Sequence, residues 1–226
     1  MKNTRDLNRK QTGSSCFCFN ARKPGKKLSR YRLGLMHTQS RRLIGSWFDK
    51  AVENQDASPE DSFEPFIYAW FAFNAWAACV TNEDSDSKYM QILIADEGLK
   101  GEFDKAMNVS SAFQEAAYLF AECWPIFSVK DLRKSNINPV ASDKRSETVK
   151  HYLDGGAVGF QPQCWTEHQE RNEACPCDWP HTIAAIYRMR CNLFHGEKTA
   201  ICPIDQNIVQ RAFRVLVQFM QRAELL

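Results

Sequence analysis

Two stretches of the 226-residue chain gather side chains that could do chemistry. The first is Tyr187-Arg188-Met189-Arg190-Cys191-Asn192-Leu193-Phe194-His195-Gly196. An Arg and a His near one helix end suit a phosphodiester: the planar guanidinium clamps anionic oxygens, and imidazole moves protons near neutral pH. Arg190, Asn192 and His195 are therefore the candidate catalytic residues, and Tyr187 and Lys198, which flank them, are read as substrate-binding. Spacing by itself carries little weight, because the chain holds five Arg-x(4–6)-His pairs, Arg32/His37 and Arg145/His151 among them. Context sets Arg190/His195 apart. The pair lies on an amphipathic stretch, Gly196 follows as a helix stop, and Asn192 stands three residues before His195 on the same expected face. Side chains five apart on a helix point about 140° away from each other. One helix would aim the pair poorly at a single phosphate; two copies crossing at a two-fold axis would build one cleft, so a homodimer is expected.

The second stretch holds Cys164, His168, Cys175, Cys177 and His181, five potential zinc ligands within 18 residues. Thiolate and imidazole are what a tetrahedral zinc site uses, but the paired Cys-x2-Cys knuckle is missing. The expectation is no bound metal, with Cys175-Pro176-Cys177 a tight turn and His168 a solvated loop residue. A zinc site on this set is the alternative.

Other chemistries are excluded more firmly. The sequence has no phosphate loop, Gly-rich dinucleotide turn, nucleophile elbow or kinase motif set. The longest apolar run, Phe66 to Val80, is broken by Asn74 and falls short of the roughly 20 residues of a bilayer span. Nine scattered Cys and no apolar leader read as free thiols in a reducing cytoplasm.

Charge divides the chain. Ten of its 29 Lys and Arg and one of its 27 Asp and Glu fall in residues 1–35, so the rest carries 19 against 26, a formal −7. Residues 1–36 read as a basic, disordered leader, with Met36 the natural start; residues 37–226 read as one domain.

The elements that must position the candidate residues are helical. Leu43, Ile44, Trp47, Phe48 and Ala51 recur at three and four, predicting a helix from Thr38 to near Gln55. Ser62 to Thr81 is apolar on nearly every side and must be central. A shorter helix passes through Tyr89, Ile92, Leu93 and Ile94. Ser111 with Gln114 resembles a capping box, opening a helix that Trp124-Pro125 ends. Residues 135–177 form a long excursion with one short helix near Glu147–Leu153. Pro180 opens the helix of the Arg190 motif, and Asp205 caps a final helix striped with Ile208, Ala212, Val215, Leu216, Phe219 and Ala223. Nothing alternates with period two long enough for a sheet, so the class is all-α.

The string Tyr187-x2-Arg190-Cys191-Asn192-Leu193-Phe194-His195-Gly196, with the aromatic helix Phe66 to Trp76 upstream, resembles the HEPN superfamily (higher eukaryotes and prokaryotes nucleotide-binding). The resemblance covers roughly Ser40 to Leu226, and its specific part is about ten residues. It implies an up-and-down helical bundle that dimerises, and a metal-independent endoribonuclease with no cofactor, of the kind found in toxin–antitoxin and phage-defence systems. By the same resemblance Arg190 would hold the scissile phosphate and His195 would act as acid or base as the ribose 2′-oxygen attacks phosphorus. The partners implied are RNA, a second copy of the chain, and an antitoxin or defence component. Here Cys191 stands where the family often has a polar residue after the Arg, and Asn192 follows. A non-catalytic module that binds RNA or nucleotide, or scaffolds a partner, is the alternative.

Overall fold

The computed structural model describes residues 38–136, 149, 155, 158–196 and 200–225. The basic stretch 1–36, Lys198 and, apart from Val149, the short helix expected near Glu147–Leu153 lie outside the described residues.

The described chain is mostly helical. Helix α1 (Thr38–Glu53) packs along α2 (Phe63–Thr81), and α2 is the centre of the molecule, with Phe66, Ala69, Trp70, Ala72, Phe73 and Ala77 fully buried. Pro65 sits in its first turn, where the missing N–H costs nothing. Asn82, in the left-handed region at φ 58°, ends it and bonds back to the Ala78 carbonyl. Helix α3 (Asp86–Ile94) packs on α2 through Tyr89, Met90 and Leu93.

Periodicity did not reveal α4 (Glu97–Val109). Its buried residues, Leu99, Phe103 and Ala106, keep the spacing of four and three, but Gly98, Gly101 and five charged residues dilute the stripe. Asp96 starts the helix by accepting the Leu99 N–H at 2.8 Å. Helix α5 (Ser111–Ala121) follows at once, and its cap is Ser110 rather than Ser111: the Ser110 hydroxyl accepts the Phe113 N–H at 3.2 Å while its own N–H closes α4 on the Ala106 carbonyl. One extended residue thus ends one helix and begins the next.

The described residues of the expected excursion include a strand and a helix. Ahead of it, strand β1 (Ile126–Phe127) leads into α6 (Val129–Lys134); within it, β2 (Phe160–Gln161) pairs antiparallel with β1, Ile126 opposite Gln161 and Phe127 opposite Phe160. Helix α7 (Trp165–Glu170) follows. Two-residue strands are too short to show alternation.

Helix α8 (Trp179–Phe194) packs against α9, α3, α4 and both strands. Asp178 caps it by accepting the His181 N–H, and Pro180 lies in the first turn. Helix α9 (Pro203–Arg222) begins earlier than expected. Pro203 fixes the first helical position, so Cys202 is the cap residue and Asp205 lies inside the first turn. The rest of the α9 stripe is buried as anticipated, against α5 and α2. Rings join these layers: Trp179 lies 4.6 Å from Phe219 between centroids, Phe219 5.8 Å from Phe103, and Phe103 5.2 Å edge-on to Phe113. The Trp179 indole N–H, buried by that packing, donates to the Leu93 carbonyl at 2.7 Å. Among the described residues no helix is long and apolar enough to cross a membrane.

The shared cap is directly testable. Ser110→Ala should lower unfolding free energy by about 1 kcal/mol, and Ser111→Ala, at an exposed first-turn position, by much less. Urea denaturation of the two variants distinguishes them; equal losses would return the cap to Ser111.

Candidate functional site

Arg190 is seated by three helices. Its side chain leaves the α8 face next to buried Met189 and retains only 18% of its exposure, so its charge must be compensated. Asp86, in the first turn of α3, supplies the counter-charge, with Nη2 to Oδ2 at 2.9 Å. Two rings supply the rest: the guanidinium carbon lies 5.3 Å from the Trp70 ring of α2 and 4.7 Å from the Phe194 ring one turn along α8. Each such contact contributes up to about 2 kcal/mol when desolvated. Arg190 Nε is buried without a hydrogen-bond partner.

His195 is placed differently. It is the C-cap of α8, exposed, with its backbone N–H on the Cys191 carbonyl. Gly196, at φ +66°, turns the chain away, a conformation that glycine adopts at low cost. Arg190 and His195 thus share the last turn and a half of α8, one half-covered and one open to solvent. Beside them Phe71 and Phe194 are 38% and 40% exposed, Phe71 lies 6.1 Å from Phe194 and 5.3 Å from Trp47, and Leu43, 57% exposed, stands one turn before Trp47 on α1. An apolar surface therefore borders the pair.

Asn192 does not share this surface. It is 2% exposed and points into the protein, where Nδ2 donates to the Phe127 carbonyl at 2.8 Å and Oδ1 accepts the Val129 N–H at 3.3 Å. Its amide straps β1 and the start of α6 onto α8. The expectation that Asn192 and His195 lie on one face is corrected: burial selects the inward direction for Asn192, while the helix ends at His195. Tyr187 is half-buried, stacked on Trp70 at 6.1 Å, and its hydroxyl is pushed up to about 12 by burial and by neighbouring Cys191. Its ring packs behind Arg190 as part of the stack. Asp86 escaped the sequence reading because nothing local links it to a residue more than a hundred positions away.

At the other end of α8 the structure gathers part of the second stretch. Cys164, Cys175 and His181 place their ligand atoms within 4.8 Å of one another: Cys164 Sγ is 3.0 Å from His181 Nε2 and 3.7 Å from Cys175 Sγ. His181 Nδ1 is hydrogen-bonded to the Asp178 carboxylate. The hydrogen bond with Cys175, and then His181, hold the Cys164 thiol far below its ordinary value despite burial. Burial opposes charge on His181, but the Asp178 and Cys164 side chains outweigh it and push the imidazole up to about 10. Cys177 lies apart, against Thr182, with burial pushing its thiol up to about 11. His168 is one turn beyond Cys164 on α7; it is not a solvated loop residue, since its Nδ1 is buried without a hydrogen-bond partner, 3.5 Å from the Glu173 carboxylate.

Removing the Asn192 strap should cost stability. Asn192→Ala leaves the Phe127 carbonyl and Val129 N–H unpaired in the interior, and about 1–3 kcal/mol of unfolding free energy should be lost. A melting temperature unchanged from the parent would show that the strap carries nothing.

No family model, curated protein or solved structure matches the chain.

Proposed function

We propose that the chain is a HEPN-type endoribonuclease in which Arg190 binds the scissile phosphate and His195 transfers the proton. One observation carries this reading: a guanidinium held against the Trp70 and Phe194 rings, with an exposed imidazole on the same last turns of α8. The ribose 2′-oxygen attacks phosphorus, the bond to the 5′-oxygen breaks, and the products are a 2′,3′-cyclic phosphate and a 5′-hydroxyl. Arg190 stabilises the charge that gathers on the phosphoryl oxygens; His195 takes the 2′ proton or gives one to the leaving oxygen. A metal ion is not needed for either role.

Two copies of the pair make one cleft. The exposed Leu43, Phe71 and Phe194 beside Arg190 form the self-complementary apolar patch through which a two-fold dimer would close. The free thiols of the described cysteines suit a reducing compartment, and a toxin or defence role, held in check by a partner protein, would use such an enzyme.

Asp86 favours a second reading. It already neutralises Arg190, so a phosphate must share or displace that carboxylate. A module that binds RNA or nucleotide without cutting it would keep this pair intact.

The two readings separate on purified protein incubated with RNA. His195→Ala should lower cleavage about 10²–10⁴-fold with RNA affinity and melting temperature retained. Arg190→Lys keeps the charge but loses the planar fork and the stack, and should lose on the order of 10²-fold. Phe71→Glu should convert a dimer to a monomer, by light scattering, and abolish cleavage. Parental cleavage by His195→Ala, or full activity from a monomer, would overturn the composite nuclease; binding without cleavage by the parent protein would establish the second reading.

A further inference from the structure

We infer that Cys164, Cys175, His181 and His168 form a tetrahedral zinc site that fastens α7 and the 171–177 segment to the first turn of α8. The distances are those of a metal shell rather than of a disulfide. Two thiolates each about 2.3 Å from zinc stand about 3.8 Å apart in a tetrahedron, and Cys164 and Cys175 stand at 3.7 Å. A disulfide would need about 2.0 Å. A thiolate and an imidazole on one zinc stand about 3.6 Å apart, so His181 withdraws by roughly half an ångström from its present 3.0 Å when the ion enters.

The second layer is in place as well. The Asp178 carboxylate can only accept, so His181 Nδ1 donates to it and Nε2 is turned to the sulfurs, where it coordinates by giving up its proton as the metal binds. A carboxylate behind a ligating His is the usual orienting device at such sites. Asp178 is itself fixed, because it also caps α8 through the His181 N–H at 3.1 Å. Cys164 is 4% exposed and the Trp124 ring lies tilted 6.4 Å from the His181 ring, so the corner is shielded from water.

His168 completes the set. It stands one turn after Cys164, the cap residue of α7, but outside the three-residue cluster, with its buried Nδ1 3.5 Å from the Glu173 carboxylate, so it must turn from Glu173 to reach the ion. Cys177 stands outside the cluster and packs against the hydrophobic core instead. The Cys-x2-Cys knuckle missing from the sequence is replaced by a cap, a helix turn and a loop, and two thiolates with two imidazoles select zinc over harder cations. The site holds structure and takes no part in RNA chemistry, so it stands or falls apart from the nuclease reading.

The experiment is metal analysis of the full chain purified under reducing conditions, followed by exchange with Co²⁺. One zinc per chain is expected. The Co²⁺ form should show the intense ligand-field absorption of a tetrahedral site together with thiolate-to-cobalt charge transfer. Cys175→Ser and His168→Gln should lose stoichiometric metal, and Cys177→Ser should keep it. Asp178→Asn retains a capping side chain but should weaken zinc binding about 10–100-fold. Far less than one zinc per chain with no thiolate–cobalt band in the parent protein overturns the site, as does a Cys164–Cys175 disulfide in the metal-free chain. Metal loss from Cys177→Ser but not from His168→Gln removes His168 from the shell.

Discussion

A guanidinium largely withdrawn from water is expensive, and the way this chain compensates Arg190 ties its functional end together. One carboxylate and two rings meet the charge, and each comes with a helix: Asp86 with α3, Trp70 with α2, Phe194 with the end of α8 itself. Breaking the pair from one side would leave a largely covered guanidinium without its counter-charge, a loss that the partial exposure of Asp86 moderates. The positions of three helices are thereby coupled to one cation, which is held in place. A cation already held in place loses less freedom when an anion binds it.

Helix α8 carries that order along the molecule. Its first turn holds His181 against Asp178 and two thiols; towards its other end stand Arg190, roughly 14 Å away, and His195, roughly 21 Å away, at 1.5 Å per residue. Between them Ile183, Ile186 and Met189 face the core, and Asn192 binds the β1–α6 corner. A rigid helix pinned at both ends leaves His195, at its cap, as the exposed and adaptable member of the pair.

Which parts of this were legible in the sequence follows from the range of the interactions involved. The 3.6-residue stripes of α1 and α9 announce themselves, since one apolar face against a core needs no knowledge of what covers it, and α2 announces itself as central by being apolar on nearly every side. Helix α4 did not, because two glycines and a run of charges weakened the stripe that Leu99, Phe103 and Ala106 still form. The caps at Ser110 and Cys202 differ from the expected Ser111 and Asp205 by one and three residues, the scale on which neighbouring polar residues compete for a helix start. Arg190 and His195 were visible as residue types at a known spacing. Asp86 was not, and neither was the inward turn of Asn192, because each depends on an element brought in from far along the chain. The Cys/His stretch was visible as composition; which members converge was decided by the α7–α8 corner.

The most direct test of the Arg190–His195 chemistry lies in the products and not in the protein. An RNA cleaved by the purified chain is digested and its new ends identified by mass spectrometry, beside the same RNA with a single 2′-deoxy nucleotide at the cleavage position. Attack by the 2′-oxygen predicts 2′,3′-cyclic phosphate and 5′-hydroxyl ends, and no cleavage at the deoxy position. Ends bearing a 3′-hydroxyl and a 5′-phosphate, or undiminished cleavage of the deoxy substrate, would contradict it.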